Sequence, residues 1–276
     1  MDCEKTAAAI TQWMEMMALK SGRKGFVVGV SGGVDSGLVS TLAARTGLET
    51  RLLIMPIHQA KDQDDRALNH CRSLAEIYSN VTWKIMNLTE VRDEFVNTIG
   101  EEDVKPLVDA NLRSRIRMCA LYATANSYGC MVAGTGNLIE DMGISFFTKG
   151  GDGMVDISPI GKLNKTQVRA LARHLRVSDE ITNAIPTDGL WEDGRSDEDQ
   201  IGCSYESLEK CMEFCELFGI DTHQDYLNMS VKMVRCETFH NKLALLNEDA
   251  LAIYLKRHEE GTHKMQMPPV GPDPIM

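Results

Sequence analysis

The chain has 276 residues, enough for one α/β domain with a sizeable core, and its 43% hydrophobic and 25% charged content is that of a water-soluble globular protein. A formal net charge of −11 counts against a general nucleic-acid binder but leaves room for a local basic pocket. No run of eighteen apolar residues occurs, so no membrane span or membrane partner is expected, and the polar N-terminal segment is unlike a signal or transit peptide. The eight cysteines form no CxxC pair, so reduced, mostly buried thiols in a cytoplasm are the simplest expectation.

Ile10, Trp13, Met14 and Met17 recur at helical spacing and predict an amphipathic helix over 5–20. Phe26–Val30 reads as a buried strand, followed by a helix from about Asp35 to Arg45. Arg51–Ile57 is the next strand. Leu68, Cys71, Ala75 and Tyr78 mark the helix after it, with Asp62, Asp64 and Asp65 at its favourable end. Thr82–Leu88 and Cys130–Ala133 read as further strands, with a long helix over 105–127 between them. Strands alternating with helices predict a doubly wound parallel sheet flanked by helices, as one domain over 1–276. Asn164–Gln167 opens another helix, 186–202 reads as a long polar loop, and a helical C-terminal part follows.

The stretch GVSGGVDS, residues 29–36, falls between a strand and a helix, and GTGNLIE, 134–140, falls at another strand end. Ligands in such sheets sit beyond the carboxyl ends of the strands, so both stretches are expected to face one crevice. A glycine-rich turn entering a helix exposes backbone N–H groups to phosphate. Gly32 and Gly33 permit close approach, and Ser31 and Ser36 add hydroxyls. The lysine of a GxxxxGK[ST] loop is absent. Asp35 beside a phosphate is repulsive unless a cation intervenes, which suggests Mg²⁺. The plainer alternative makes the loop a tight turn and Asp35 a helix cap.

SGGVDS resembles the pyrophosphate loop of the N-type ATP pyrophosphatases, whose fold is adenine-nucleotide α-hydrolase-like. NLRSRIRM (111–118), the block 134–175, the loop PTDGLWEDGRSDEDQIGCSYESLE (186–209) and THKMQMPP (262–269) resemble segments of the ammonia-dependent NAD synthetases in order and approximate spacing. The resemblance implies a ligase that forms a carbon–nitrogen bond. Such a ligase would adenylate the nicotinate carboxylate of deamido-NAD with ATP, releasing pyrophosphate, and then pass the acyl group to ammonia, releasing AMP and giving NAD. It implies that Gly29, Val30, Ser31, Gly32, Gly33, Val34, Asp35 and Ser36 cradle the phosphates, with Thr135, Lys165 and Thr187 on ATP. Asp35 and Glu140 would hold Mg²⁺, Asp35 and Lys165 would serve catalysis, and Arg115, Lys149, Asp156, His263 and Lys264 would hold deamido-NAD. A homodimer is implied, with ammonia arriving free or from a separate glutaminase.

The plainer alternatives remain. Arg115 can be a solvated helix charge, Glu140 a carboxylate favoured by a helix start, Lys149 and Asp156 loop residues, and His263–Lys264 surface. The sequence also departs from the family pattern. The stretch Leu53–Ala60 carries no arginine, Leu138 replaces a frequent lysine, ISFFTK runs one residue long, and the region 210–258 is extended. These departures keep two other readings open: an ATP pyrophosphatase that amidates or thiolates a different substrate, and a turnover-deficient nucleotide-binding regulatory protein.

Overall fold

Phe26 and Val28 face one side of strand β1 (Gly25–Gly29) and Val27 the other; in β2 (Glu49–Ile54), Leu52 and Ile54 share the first side and Leu53 the second. This two-residue period sorts the apolar side chains into two cores, one on each face of the sheet. The computed structural model describes residues 1–59, 61–187, 189–191 and 194–271, the side chain of Lys61 excepted. Strands β3 (Val81–Ile85) and β4 (Met131–Val132) complete a sheet of order β3-β2-β1-β4 in which every pairing is parallel.

Parallel neighbours need crossovers, and helices supply them. Helix α1 (Cys3–Lys20) precedes β1, α2 (Val34–Arg45) follows it, and α3 (Lys61–Ile77) links β2 to β3. Helices α4 (Thr89–Ile99) and α5 (Pro106–Tyr128) link β3 to β4. Helices α1, α2 and α3 pack with α6 (Lys165–His174) on the first face, and α4 and α5 cover the second. The doubly wound arrangement expected from the alternating pattern is present.

Beyond the short helices α7 (Asp179–Thr182) and α8 (Asp197–Ile201), the chain forms α9 (Tyr205–Phe218), α10 (His223–Lys232), α11 (Glu237–Leu243) and α12 (Glu248–Met265). These enclose a third core around Leu208, Phe214, Phe239 and Tyr254. Ile139 and Ile144 join that core from a π turn, Ile139–Gly143, that follows β4. The C-terminal helices are therefore seated on the strand end that carries Glu140.

Two local expectations differ from the structure. Strand β4 pairs over two residues only, and Ala133 extends it through an isolated parallel bridge to Ile157. The polar stretch 186–202 contains α8, started by a capping box in which Ser196 and Asp199 satisfy each other's backbone N–H groups. Among the apolar positions of α5, Leu112, Ile116, Met118 and Leu121 are buried in the protein's own core, whereas Leu107, Val108 and Cys119 are exposed. No described helix is long and apolar enough to cross a membrane.

Candidate active site

The N-terminus of α2 is built to receive an anion. Its N-cap is Gly33, which offers no side-chain bond to the first-turn N–H groups. Asp35 is thus inside the first turn and is not the cap. The loop is wired to itself: Ser36 Oγ accepts from the Ser31 N–H at 3.1 Å and donates to the Gly33 carbonyl at 3.0 Å. Gly32 has φ +81°, and a Cβ there would lie 2.6 Å from the Gln63 carbonyl oxygen of α3. Glycine is required because the turn is left-handed and α3 presses against it.

Lys165 ties the two strand ends together. Its Nζ donates to Asp35 Oδ2 at 2.7 Å and to Glu140 Oε1 at 2.9 Å, and the side chain is 4% exposed. Asn164 and Gln167 form a capping box that starts α6 at Lys165, and Glu209 accepts from both the N–H and the hydroxyl of Thr166. The first residue of α6 is thereby locked in place. Burial alone would lower the Lys165 ammonium, but Asp35 and Glu140 outweigh it and raise its pKa. Burial raises Asp35 against the pull of Lys165, and Glu140 adds to the rise. Burial would also raise Glu140, but Lys165 and the Tyr205 hydroxyl hold it below the usual carboxylate range. Burial and the charges of Glu140, Asp152 and Asp35 push Asp141 up to about 7.

This donor set suits a magnesium ion that arrives with phosphates. Mg²⁺ is usually held by one or two protein carboxylates plus substrate oxygens, rather than by an all-protein cage. Asp35 and Glu140, which Lys165 now bridges, are the pair that would hold it. Among the described residues no group of three or more His, Cys, Asp or Glu side chains is arranged to hold a metal.

A cavity of about 660 Å³ opens at this end of the sheet. All of Gly29–Ser36, with Thr135, Glu140, Lys165 and Thr187, lines it, so the residues expected on ATP and metal meet in one chamber. Of the five expected on deamido-NAD, Lys264 is among the described lining residues and the other four are not. Three of those four are joined to one another. Arg115 Nε and Nη2 each donate to the Lys149 carbonyl at 3.3 Å, and Lys149 Nζ donates to the His263 carbonyl at 2.7 Å. Lys264 donates to the carbonyls of Ser145 and Phe147 at 2.9 and 3.0 Å. Asp156 has a different bonding pattern: it accepts from the Val132 N–H at 2.8 Å and the Tyr122 hydroxyl at 3.2 Å, bracing β4 against α5.

Sequence reasoning assigned no role to three further residues. Asn137, fully buried, donates to Asp35 Oδ1 at 3.1 Å and accepts from the Glu140 N–H at 3.1 Å. Its signal was its place inside GTGN. Tyr205 donates to Glu140 Oε1 at 2.5 Å, and the Lys165 ammonium lies 4.8 Å from its ring centroid. No local pattern marked it. Arg117 donates to the Met55 carbonyl at 3.0 Å and to Gln59 Oε1 at 2.7 Å. A guanidinium from α5 therefore reaches the end of β2, where the resemblance leads one to look for a strand arginine. The stretch that runs one residue long, ISFFTK, follows directly on the π turn, which takes up one residue more than an α-helical turn, and holds Ser145 at φ +52°.

Comparison with known proteins adds an independent line. A family model described as NAD synthase matches residues 6–242. An NH(3)-dependent NAD(+) synthetase of Methanococcoides burtonii is 39% identical over 216 residues, covering 77% of this chain and 80% of the relative. Among solved structures, an NMN synthetase from Francisella tularensis superposes with a TM-score of 0.80 at 27% identity, covering 99% of both chains. An NH3-dependent NAD synthetase from Campylobacter jejuni, at 24% identity and a TM-score of 0.74, covers 99% of this chain and 100% of its own and shares the fold.

Proposed function

The chain belongs to the NAD synthase family, and from that premise we propose that its chamber adenylates the nicotinate carboxylate of deamido-NAD with ATP and hands the acyl group to ammonia. The products are NAD, AMP and pyrophosphate. The observation that carries this reading is the meeting of Asp35, Glu140 and Lys165 at the phosphate-accepting end of α2.

The first step brings a carboxylate to the α-phosphorus of a polyanion, so charge neutralisation matters more than covalent help. The N–H groups of Gly32 and of the first turn of α2 receive phosphate oxygens, and Thr135 and Thr187 flank the nucleotide. Lys165 is positioned by its capping box to offset charge on the transferring phosphate. Asp35 and Glu140 would hold Mg²⁺, which supplies further charge neutralisation when bound. Arg115, Lys149, His263 and Lys264 are the residues against which the dinucleotide's pyrophosphate would lie; Asp156 braces β4 against α5, the helix that carries Arg115. In the second step ammonia attacks the acyl carbon and AMP leaves with its electron pair.

The working unit in this reading is a single-domain chain that pairs as a homodimer. Ammonia arrives free or from a separate glutaminase. Eight free cysteines suit a reducing cytoplasm. One observation favours a second substrate, nicotinate mononucleotide: the likeness to the Francisella NMN synthetase spans 99% of both chains. Purified protein given ATP, Mg²⁺ and ammonium with either acid, followed for AMP and amide, tests both. Amide from deamido-NAD supports the main reading. Turnover of the mononucleotide alone selects the second, and turnover of neither removes both.

A further inference from the structure

Adenylation breaks the bond between the α-phosphorus and its bridging oxygen, and the electron pair leaves on pyrophosphate. That anion needs a cation. The loop 31–36 carries no lysine, and Lys165 is engaged by Asp35 and Glu140. Arg66 of α3 stands on the other side of the loop. Its Cβ is 3.4 Å from the position a Gly32 side chain would take, and the residue lines the chamber. It also lines a second cavity of about 730 Å³ that shares Gln63, Thr187 and Trp191 with the first. One arm of its guanidinium, Nη1, is held by Asp62 at 2.8 Å; the Arg66 side chain is 21% exposed and that of Asp62 68%. The Arg66 Nε–H is buried with no acceptor among the described residues. A buried donor without a partner is costly, and a guanidinium fork is matched to phosphate oxygens.

We propose that Arg66 binds the β- and γ-phosphates of ATP and then the pyrophosphate product. It supplies from a neighbouring helix the cation that lysine-bearing phosphate loops carry themselves. The inference rests on the reading of the chamber as an ATP-cleaving site, but not on which acid is amidated. It places no role on the α-phosphate or the adenosine, so its effect is confined to ligands that carry the outer phosphates.

Calorimetry on the full chain with Mg²⁺ separates these cases, using ATP, AMP and inorganic pyrophosphate as probes. Arg66→Ala is expected to weaken ATP and pyrophosphate at least about tenfold, from loss of a charge-assisted fork, and AMP less than about twofold. Arg66→Lys keeps the charge, loses the fork and should fall between. Asp62→Ala, an exposed change that leaves the fold untouched, should keep or tighten pyrophosphate binding. Unchanged pyrophosphate affinity in Arg66→Ala, or an equal loss for AMP, overturns the proposal, as does loss of pyrophosphate binding in Asp62→Ala. If wild-type protein cleaves ATP while Arg66→Ala binds normally, the proposal fails alone. If wild-type protein binds neither ATP nor pyrophosphate, the ATP-cleaving reading fails as well.

Discussion

Asp35 and Glu140 share one ammonium, so either can lose its charge while Lys165 keeps a partner. Asp35→Asn should therefore fold, with an unchanged circular dichroism spectrum, yet lower ATP–pyrophosphate exchange by roughly 10³-fold or more, because an amide is a poor ligand for a hard cation. Glu140→Gln should behave alike, and wild-type exchange in either variant would remove the pair from the metal site. Tyr205 acts one step back, by fixing Glu140. Tyr205→Phe is expected to lower divalent-metal affinity, read with Mn²⁺ in the presence of ATP, by about 10–100-fold, the usual loss when a ligand's outer hydrogen bond is removed. An unchanged Mn²⁺ affinity would make Tyr205 a core residue only. His70 lies behind the loop, its Nε2 2.8 Å from Ser40 Oγ, while Ser40 donates to the carbonyls of Ser36 and Gly37. Burial pulls His70 down to about 4. Its folded pKa is depressed, so the unfolded chain takes up the proton first. The stability from neutral His70 is complete above the unfolded value near 6.5 and is lost as pH falls from there towards 4. The size is at most about 3 kcal/mol. Urea unfolding at pH 7 and pH 5 should show that drop in wild type and a smaller one in His70→Gln; equal drops would contradict the assignment.

Helices and loops set which of these groups meet. Pro186 and Asp197 are joined by a backbone bond of 2.9 Å, and Thr187 Oγ1 donates to the Arg195 carbonyl at 3.1 Å; of the described residues of this strap, Thr187 and Trp191 line the wall shared by both cavities. If it covers the adenylate and keeps water out, ATP plus deamido-NAD should slow limited proteolysis within 186–200. Cleavage at the same rate with and without ligands would show that the strap does not close. Much of this arrangement was legible in the sequence. SGGVDS and GTGN are local signals, because residues adjacent in the chain form the turn at the strand end and place its backbone N–H groups. The start of α6 was legible in Asn164–Gln167 for the same reason. Tyr205, Arg66 and His70 were not legible, because each acts through a contact made only when distant segments fold together: Tyr205 meets Glu140 across 65 positions, and His70 meets Ser40 across 30. The length of β4 and the position of α8 depended on partners and caps that hydrophobic periodicity does not report.

At the scale of the whole molecule, α4 and α5 carry apolar side chains that its own cores leave uncovered. Leu107 and Val108 of α5 and Val91, Phe95 and Ile99 of α4 are all exposed, at 45–63%. In the proposed homodimer these residues meet their counterparts, and a two-fold pair is the commonest closed assembly. Arg115 lies on the same helix, so pairing and acid binding should be coupled. Light scattering across a dilution series should give a dimer, and Leu107→Lys with Phe95→Lys should yield monomers with weakened affinity for the acid. A wild-type monomer working at full rate would show that one copy suffices. Stoichiometry is the sharpest test of ATP-driven amidation. Purified protein incubated with deamido-NAD, ATP, Mg²⁺ and ammonium should release NAD, AMP and pyrophosphate in a one-to-one-to-one ratio, and Lys165→Met should make none of the three at a measurable rate. ADP and phosphate in place of AMP and pyrophosphate, or AMP formed without amide when ammonium is saturating, would contradict the account.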